Sequence, residues 1–314
     1  MSDWTAADVP DRTGRTAVVT GANGGLGLET TRILARKGAR VVMACRSLDR
    51  GERAVEDVRV TDPDADLDVR ELDLASLDSV AAFADGLDEP VDLLVNNAGV
   101  MWGPYRETED GFEAQFGINH LGHFALTGHL LDRLRTGDST RVVTVSSALH
   151  SRADGVPDEF DEREYDPRVA YARSKLANLL FAYELDRRAD RLTSAACHPG
   201  WAATDLQTRG AEIAGNRLRL LVTRAANALL AQDPAAGVLP TLYAATAPDV
   251  VGGGYYGPSG FMNMRGPPER QASSEASYDR EAARRLWSRS EALTGVEYDL
   301  SPSGEGDEAD AVGD

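Results

Sequence analysis

Thr16-Ala-Val-Val-Thr20-Gly21-Ala-Asn-Gly-Gly25-Leu-Gly27 decides the fold. The first five residues are β-branched or small and read as a strand. The glycines read as a turn, and Leu26 to Lys37 as a helix closed by Gly38. Glycines there let the backbone approach a pyrophosphate, and the helix start adds N–H groups and the positive end of its dipole. The spacing is G-x-x-x-G-x-G rather than G-x-G-x-x-G, so its place in a first βα unit carries the reading.

The same alternation continues outward. Strands are expected at 40–44, 66–72, 91–95, 141–145 and 193–197, with a short one near Tyr255-Tyr256. Helices are expected at 48–60, from the Ser76 cap through Phe83, at 110–134, 169–188, 235–246 and 279–293, the last ended by Gly295. Short apolar strands between amphipathic helices require a parallel sheet covered on both faces. The expectation is an α/β, doubly wound parallel sheet of about seven strands, one domain over residues 1–300. Residues 301–314 are small and acidic and are expected to stay disordered.

Composition narrows the function. The chain has 314 residues, 51 acidic and 33 basic, for a net charge of −18. Nucleic acid needs clustered cations and is excluded as a partner. Lysine occurs only as Lys37 and Lys175. An acid excess nearly free of lysine resembles proteins of salt-loving organisms, in which dense carboxylates keep a surface hydrated while salt screens their repulsion. Two cysteines, Cys45 and Cys197, rule out a disulfide scaffold and point to a reducing, cytoplasmic setting. Neither a secretory leader nor a membrane span is expected, and no Cys/His cluster suggests a metal.

The end of strand two selects a dinucleotide. An acid there would bond ribose hydroxyls, whereas an arginine would pair with a 2′-phosphate. Arg46 lies 19 residues after Gly27 and no acid occupies that strand end, so NADP(H) is expected over NAD(H).

Tyr171 and Lys175 stand four apart near the start of a strong helix and share one face. A phenol used near neutral pH needs its pKa of about 10 lowered by roughly two to three units, which a neighbouring cation favours. Ligands bind beyond the carboxyl ends of strands in such a sheet. Ser146-Ser147, Asn96-Asn97-Ala98-Gly99 and Cys197-His198-Pro199-Gly200 all stand at such ends, and Asn119 is a polar residue within a long helix. A serine there can donate to a developing alkoxide.

Taken in order, TGANGGLG, Asp73-Leu74, NNAG, Asn119, SS, YxxxK and PG followed by Thr204 resemble the short-chain dehydrogenase/reductase family in its tyrosine-dependent form, over roughly Gly14 to Gly260. ACR at 44–46, NNAGVM at 96–101, NHLGHF at 119–124, SSALH at 146–150 and AYARSKLANLLF at 170–181 resemble its retinol dehydrogenase and protochlorophyllide reductase branch. So does the spacing of 24 residues from Ser147 to Tyr171.

The resemblance implies a Rossmann-type sheet and an oxidoreductase interconverting a hydrophobic alcohol and its ketone or aldehyde. Tyr171 would be the general acid/base, Lys175 would lower its pKa and hold the nicotinamide ribose, and Ser147 would orient the reacting oxygen. Asn119 would hold a water linking Lys175 to solvent. Gly21, Asn23, Gly24, Gly25, Leu26 and Gly27 would receive the pyrophosphate, and Asp73 and Leu74 the adenine. Asn97, Ala98, Gly99, Pro199 and Gly200 would line the cofactor, and Thr204 would bond its carboxamide. His120 and His123 are read as packing groups.

The variable stretch 205–232 is expected to form a lid over an apolar substrate or a surface for peripheral membrane contact, with Trp102 and Trp201 at the pocket. The partner expected is a small hydrophobic carbonyl or alcohol, with homo-oligomer formation left open. A non-catalytic NADP(H)-sensing or interaction module is the alternative.

Overall fold

The computed structural model describes residues 4–134, 140–190, 192–200, 234–260 and 263–300. Its strands are β1 (Thr16–Thr20), β2 (Arg40–Cys45), β3 (Leu67–Glu71), β4 (Leu93–Asn96), β5 (Arg141–Val145), β6 (Thr193–Cys197), β7 (Tyr255–Pro258) and β8 (Pro268–Gln271). They form one sheet in the order β3-β2-β1-β4-β5-β6-β7-β8. All pairings are parallel except β7 with β8. The described helices are α1 (Gly25–Arg36), α2 (Leu48–Arg59), α3 (Leu77–Asp85), α4 (Ala114–Phe116), α5 (Gly122–His129), α6 (Leu131–Leu134), α7 (Pro167–Arg188), α8 (Pro234–Gly237), α9 (Leu239–Thr246) and α10 (Arg280–Thr294).

Strand side chains alternate between the two faces of a sheet, and both faces here are dry. On β1, Val19 packs with Val41, Met43, Ile33 and Leu34 in one layer. Its neighbour Val18 packs with Val42, Leu94, Phe124 and Val142 in the other. Local signals fix the helix ends. Ser76 accepts the Ser79 N–H before α3. Asp166 accepts two N–H groups before α7, which opens on Pro167. Gly295 takes a left-handed φ of 67° after α10. Trp287 of α10 packs against Phe124, Phe181 and Tyr298, tying the last helix to α5 and α7.

Two elements depart from expectation. The sheet has eight strands, because Pro268–Gln271 adds an antiparallel edge. The expected helix over 110–134 begins only at Ala114, capped by Glu113, and widens over Gly117–Leu121 into a π-turn closed by Gly122 N–H on the Gly117 carbonyl. Residues 205–232, expected to form a lid or a surface for peripheral membrane contact, and 301–314, expected to form a tail, lie outside the described residues.

Candidate active site

Reading outward from β1, strand order reverses where its neighbours β2 and β4 lead off in opposite directions, which opens a crevice at the carboxyl ends of β1 and β4. The glycine turn lies at its floor. Gly21 and Gly25 hold left-handed φ of 66° and 54°. A Cβ on Gly27 would collide with the Gly21 carbonyl, so only glycine lets α1 start this close to β1. Gly24 is exposed, faces open space and caps α1 with no side chain. The first N–H groups of α1 are thus left to a ligand, which suits an anion. Asn23 and Leu26 flank this turn and are partly exposed. Arg46 is exposed just past β2, and no described carboxylate pairs with it.

One hydroxyl organises the adjoining loop. Thr20 Oγ accepts the N–H groups of Asn97 and Ala98, each at 2.9 Å, and meets His123 Nε2 at 2.9 Å. Asn97 returns a bond to the Thr20 carbonyl at 2.8 Å. His123 Nδ1 reaches the Asn119 carbonyl at 3.1 Å. His123 therefore packs, as expected, and also ties the loop to the π-turn. Sequence reasoning did not assign Thr20 or His123 this joint task; a threonine at a strand end facing NNAG is the signal that could have found it. Asp73 accepts the Ala75 N–H at 2.9 Å, and buried Leu74 lies against Gly122 so closely that a Cβ there would not fit.

The π-turn aims the Asn119 amide inward. Its Oδ1 accepts the Val100 N–H at 2.8 Å, and its Nδ2 donates to the Val100 carbonyl at 3.0 Å and Ser174 Oγ at 2.9 Å. The amide thus pins the chain beyond Gly99 to α7, and a water would have to take a remaining lone pair. A Cβ on Gly99 would press on Asn119 Oδ1 at 3.0 Å and lie in ordinary contact with Lys175 Nζ at 3.6 Å, so glycine eases the seating of the amide.

Tyr171 and Lys175 lie on one face of α7, both buried. Lys175 Nζ donates to the Val145 carbonyl at 2.9 Å and stands 5.8 Å from the Tyr171 ring centre. Ser146 Oγ donates to the Lys175 carbonyl at 2.7 Å, fastening α7 to the end of β5. Ser147 follows the end of β5, and its Oγ accepts the Leu149 N–H at 3.2 Å, which leaves its own hydrogen free to turn elsewhere.

Burial pushes the phenol up to about 12, opposed by the Ser147 hydrogen bond. Burial pulls Lys175 down to about 8. The expectation that the ammonium lowers the phenol is therefore not met in the chain alone. Desolvation of both groups wins, and the ammonium is drawn to a backbone carbonyl.

His198 Nε2 bonds Gln271 at 3.1 Å, and its Nδ1 accepts the Gly200 N–H at 3.2 Å, which holds the Pro199-Gly200 turn in place. Trp102 has a left-handed φ of 59° stabilised by its N–H on Gln115 Oε1 at 2.9 Å, with the Arg168 guanidinium 5.6 Å above its ring. Cys45 and Cys197 are free and buried, as expected. Thr204 and Trp201 lie outside the described residues.

Residues 15–212 match the family described as short chain dehydrogenase. The chain belongs to that family. Retinol dehydrogenase 13 of Homo sapiens is 40% identical over 293 residues, spanning 90% of this chain and 86% of that one. An uncharacterised protein from Mycobacterium paratuberculosis, solved by crystallography, is 41% identical with a TM-score of 0.79 over 95% of this chain and all of that one. A Beutenbergia cavernae structure described as an NAD(P)-dependent gluconate 5-dehydrogenase, with NADP bound at low occupancy, is 27% identical with a TM-score of 0.60, covering 78% of this chain and 95% of that one.

This short-chain dehydrogenase is thus an oxidoreductase resembling the retinol dehydrogenases. Among its described residues no group of His, Cys, Asp and Glu could hold a metal, and no helix is long and apolar enough to cross a membrane.

Proposed function

We propose that this short-chain dehydrogenase uses NADP(H) to interconvert a hydrophobic alcohol and its ketone or aldehyde, with Tyr171, Lys175, Ser147 and Asn119 at its site. The observation that carries the reading is a buried ammonium and a buried phenol on one helix face, the ammonium 5.8 Å from the centre of the phenol ring. A nicotinamide dinucleotide supplies or accepts the hydride when bound. The N–H groups at the start of α1, the close approach at Gly27 that admits no Cβ and the exposed Arg46 fit such a group. The NADP of the 27% identical relative supports the phosphorylated form.

Each side chain then has one task. In the reducing direction Tyr171 Oη gives its proton to the substrate oxygen, and in the oxidising direction takes it back. Ser147 donates to the same oxygen as negative charge builds there. Lys175 places a positive charge behind the phenol, and Asn119 fixes the chain that walls the ammonium. The residues meant to receive the apolar substrate, 205–232, lie outside the described residues.

An assay of apolar ketones and aldehydes with NADPH and NADH tests this, with turnover expected and NADPH preferred. No turnover across such a panel overturns the reading. Arg46→Asp is expected to shift the NADPH-to-NADH ratio of kcat/KM by about 10- to 100-fold, the worth of one or two charge-assisted hydrogen bonds. An unchanged ratio refutes the role of Arg46.

A second prediction follows from Lys175. In the free protein its ammonium loses its proton near pH 8, because burial disfavours the charge. The phenol, near 12, stays protonated throughout. The kcat/KM for carbonyl reduction is therefore expected to fall as pH rises through about 8. A profile flat from pH 7 to 10 contradicts the assignment of the ammonium.

A further inference from the structure

Ser147 is held by a residue outside the four proposed for the chemistry. The Ser147 carbonyl accepts both the backbone N–H of His150 at 3.0 Å and its ring Nδ1 at 2.7 Å. On the far side of the ring, Nε2 lies 3.0 Å from the backbone N–H of Ser274. A backbone N–H can only donate and a carbonyl can only accept. Both contacts hold together only for a neutral imidazole carrying its hydrogen on Nδ1. The ring is buried and meets Tyr255 edge-on, with centres 5.4 Å apart.

The Ser274 end of this bridge is itself anchored. Ser273 Oγ pairs with Tyr183 Oη of α7 at 2.8 Å and with Ser277 Oγ at 2.5 Å. The Ser273 N–H donates to Tyr278 Oη at 3.0 Å, and Tyr278 stacks on Tyr183. The segment 273–278 is thus fastened to the helix that carries Tyr171. His150 closes a loop of contacts that runs from Tyr171 along α7 to this segment and back to Ser147.

We propose that His150 is a positioning residue for the reaction: the Ser274 N–H on Nε2 fixes the tautomer of the ring, and the hydrogen thereby placed on Nδ1 holds the Ser147 carbonyl and so fixes the direction in which the Ser147 hydroxyl faces Tyr171. The inference rests on the reading of Ser147 given under the proposed function. Hydroxyl placement within a site is sensitive, since an error of about 1 Å can cost about 100-fold in rate.

Two isosteric variants separate the two ends of the ring. His150→Asn keeps a donor where Nδ1 stands and drops the acceptor for Ser274. His150→Gln keeps the acceptor near Nε2 and drops the donor to Ser147. The Asn variant is expected to stay within about threefold of the parent kcat, while the Gln variant falls about 10- to 100-fold with KM for the dinucleotide unchanged. A Gln variant with parent-like kcat, or an Asn variant as impaired as Gln, overturns the proposal.

Crystal structures of both variants give a readout independent of turnover. Ser147 Oγ is expected to turn from Tyr171 in the Gln variant and to stay in the Asn variant. An undisplaced Ser147 in the Gln variant overturns the clamp. A parent protein without turnover on any carbonyl sinks the functional reading alone, and the crystallographic comparison then decides His150.

Discussion

Tyr171→Phe is expected to lower kcat by about 1,000-fold or more in both directions, while the dissociation constant for NADPH stays within about threefold. Proton transfer by a placed side chain is worth about 100- to 10,000-fold. The upper part of that range applies because, of the groups meeting at this point, the phenol is the one with a proton to give to the substrate oxygen. Ser147 accepts from Leu149, and its single hydrogen serves that oxygen as a hydrogen bond and is not transferred to it. Lys175 is directed to the Val145 carbonyl. The dinucleotide cradle is built from the glycine turn and the loop held by Thr20, neither of which needs the phenol oxygen. Initial rates and a fluorescence titration with NADPH separate the effects. A Phe variant that keeps a tenth of the parent rate removes Tyr171 from the chemistry. Loss of NADPH binding alone would make it a binding residue.

The second large effect is on stability. Burial holds His120 down at about 3 and His123 at about 4. His120 sits among Phe116, Phe124 and Phe181. Its Nε2 meets Ser290 Oγ, whose own hydrogen goes to the Leu286 carbonyl, so the ring hydrogen is on Nε2. Nδ1 is buried without a partner, and a proton placed there would find no acceptor.

Both folded values lie below the unfolded 6.5, so the unfolded chain binds protons that the native one refuses. The stabilisation is complete above about pH 7 and is lost as pH falls through 6.5 toward 4. At about 1.4 kcal/mol per unit and per group, the loss by pH 4.5 is on the order of 5 kcal/mol, comparable with the whole stability of many domains. Urea unfolding at pH 7.5 and 4.5 measures it. His120→Gln and His123→Gln are each expected to flatten the acid limb. Equal stability at the two pH values would overturn the account.

The chain's own periodicity made most of this architecture legible. β5 and β6 fall where their apolar runs stand, and the Ser76 and Gly295 punctuation marks fix helix ends within a residue or two. β8 escaped because Pro268-Glu-Arg-Gln271 is polar and opens on proline; only its place at an edge, paired on one side, lets such a segment be a strand. The π-turn escaped because an extra residue in a helical turn leaves no trace in composition.

At the site, the residue types and their grouping at strand ends were readable. The partners of Asn119 and the balance of burial against charge at Tyr171 were not, since both depend on distances that spacing along a chain does not encode.

The wide turn at Gly117–Leu121 sets a tolerance on the chain's length. Upstream of it, Glu113 accepts the N–H groups of Gln115 and Phe116; downstream, His123 and Phe124 are locked into the loop and the aromatic layer. With both flanks pinned, the surplus residue works as a shim. Taking one residue out would let the coil wind regularly, and that relaxation would rotate Asn119 off Val100 and Ser174. Here a locally less comfortable backbone is the one that keeps two halves of a crevice in register.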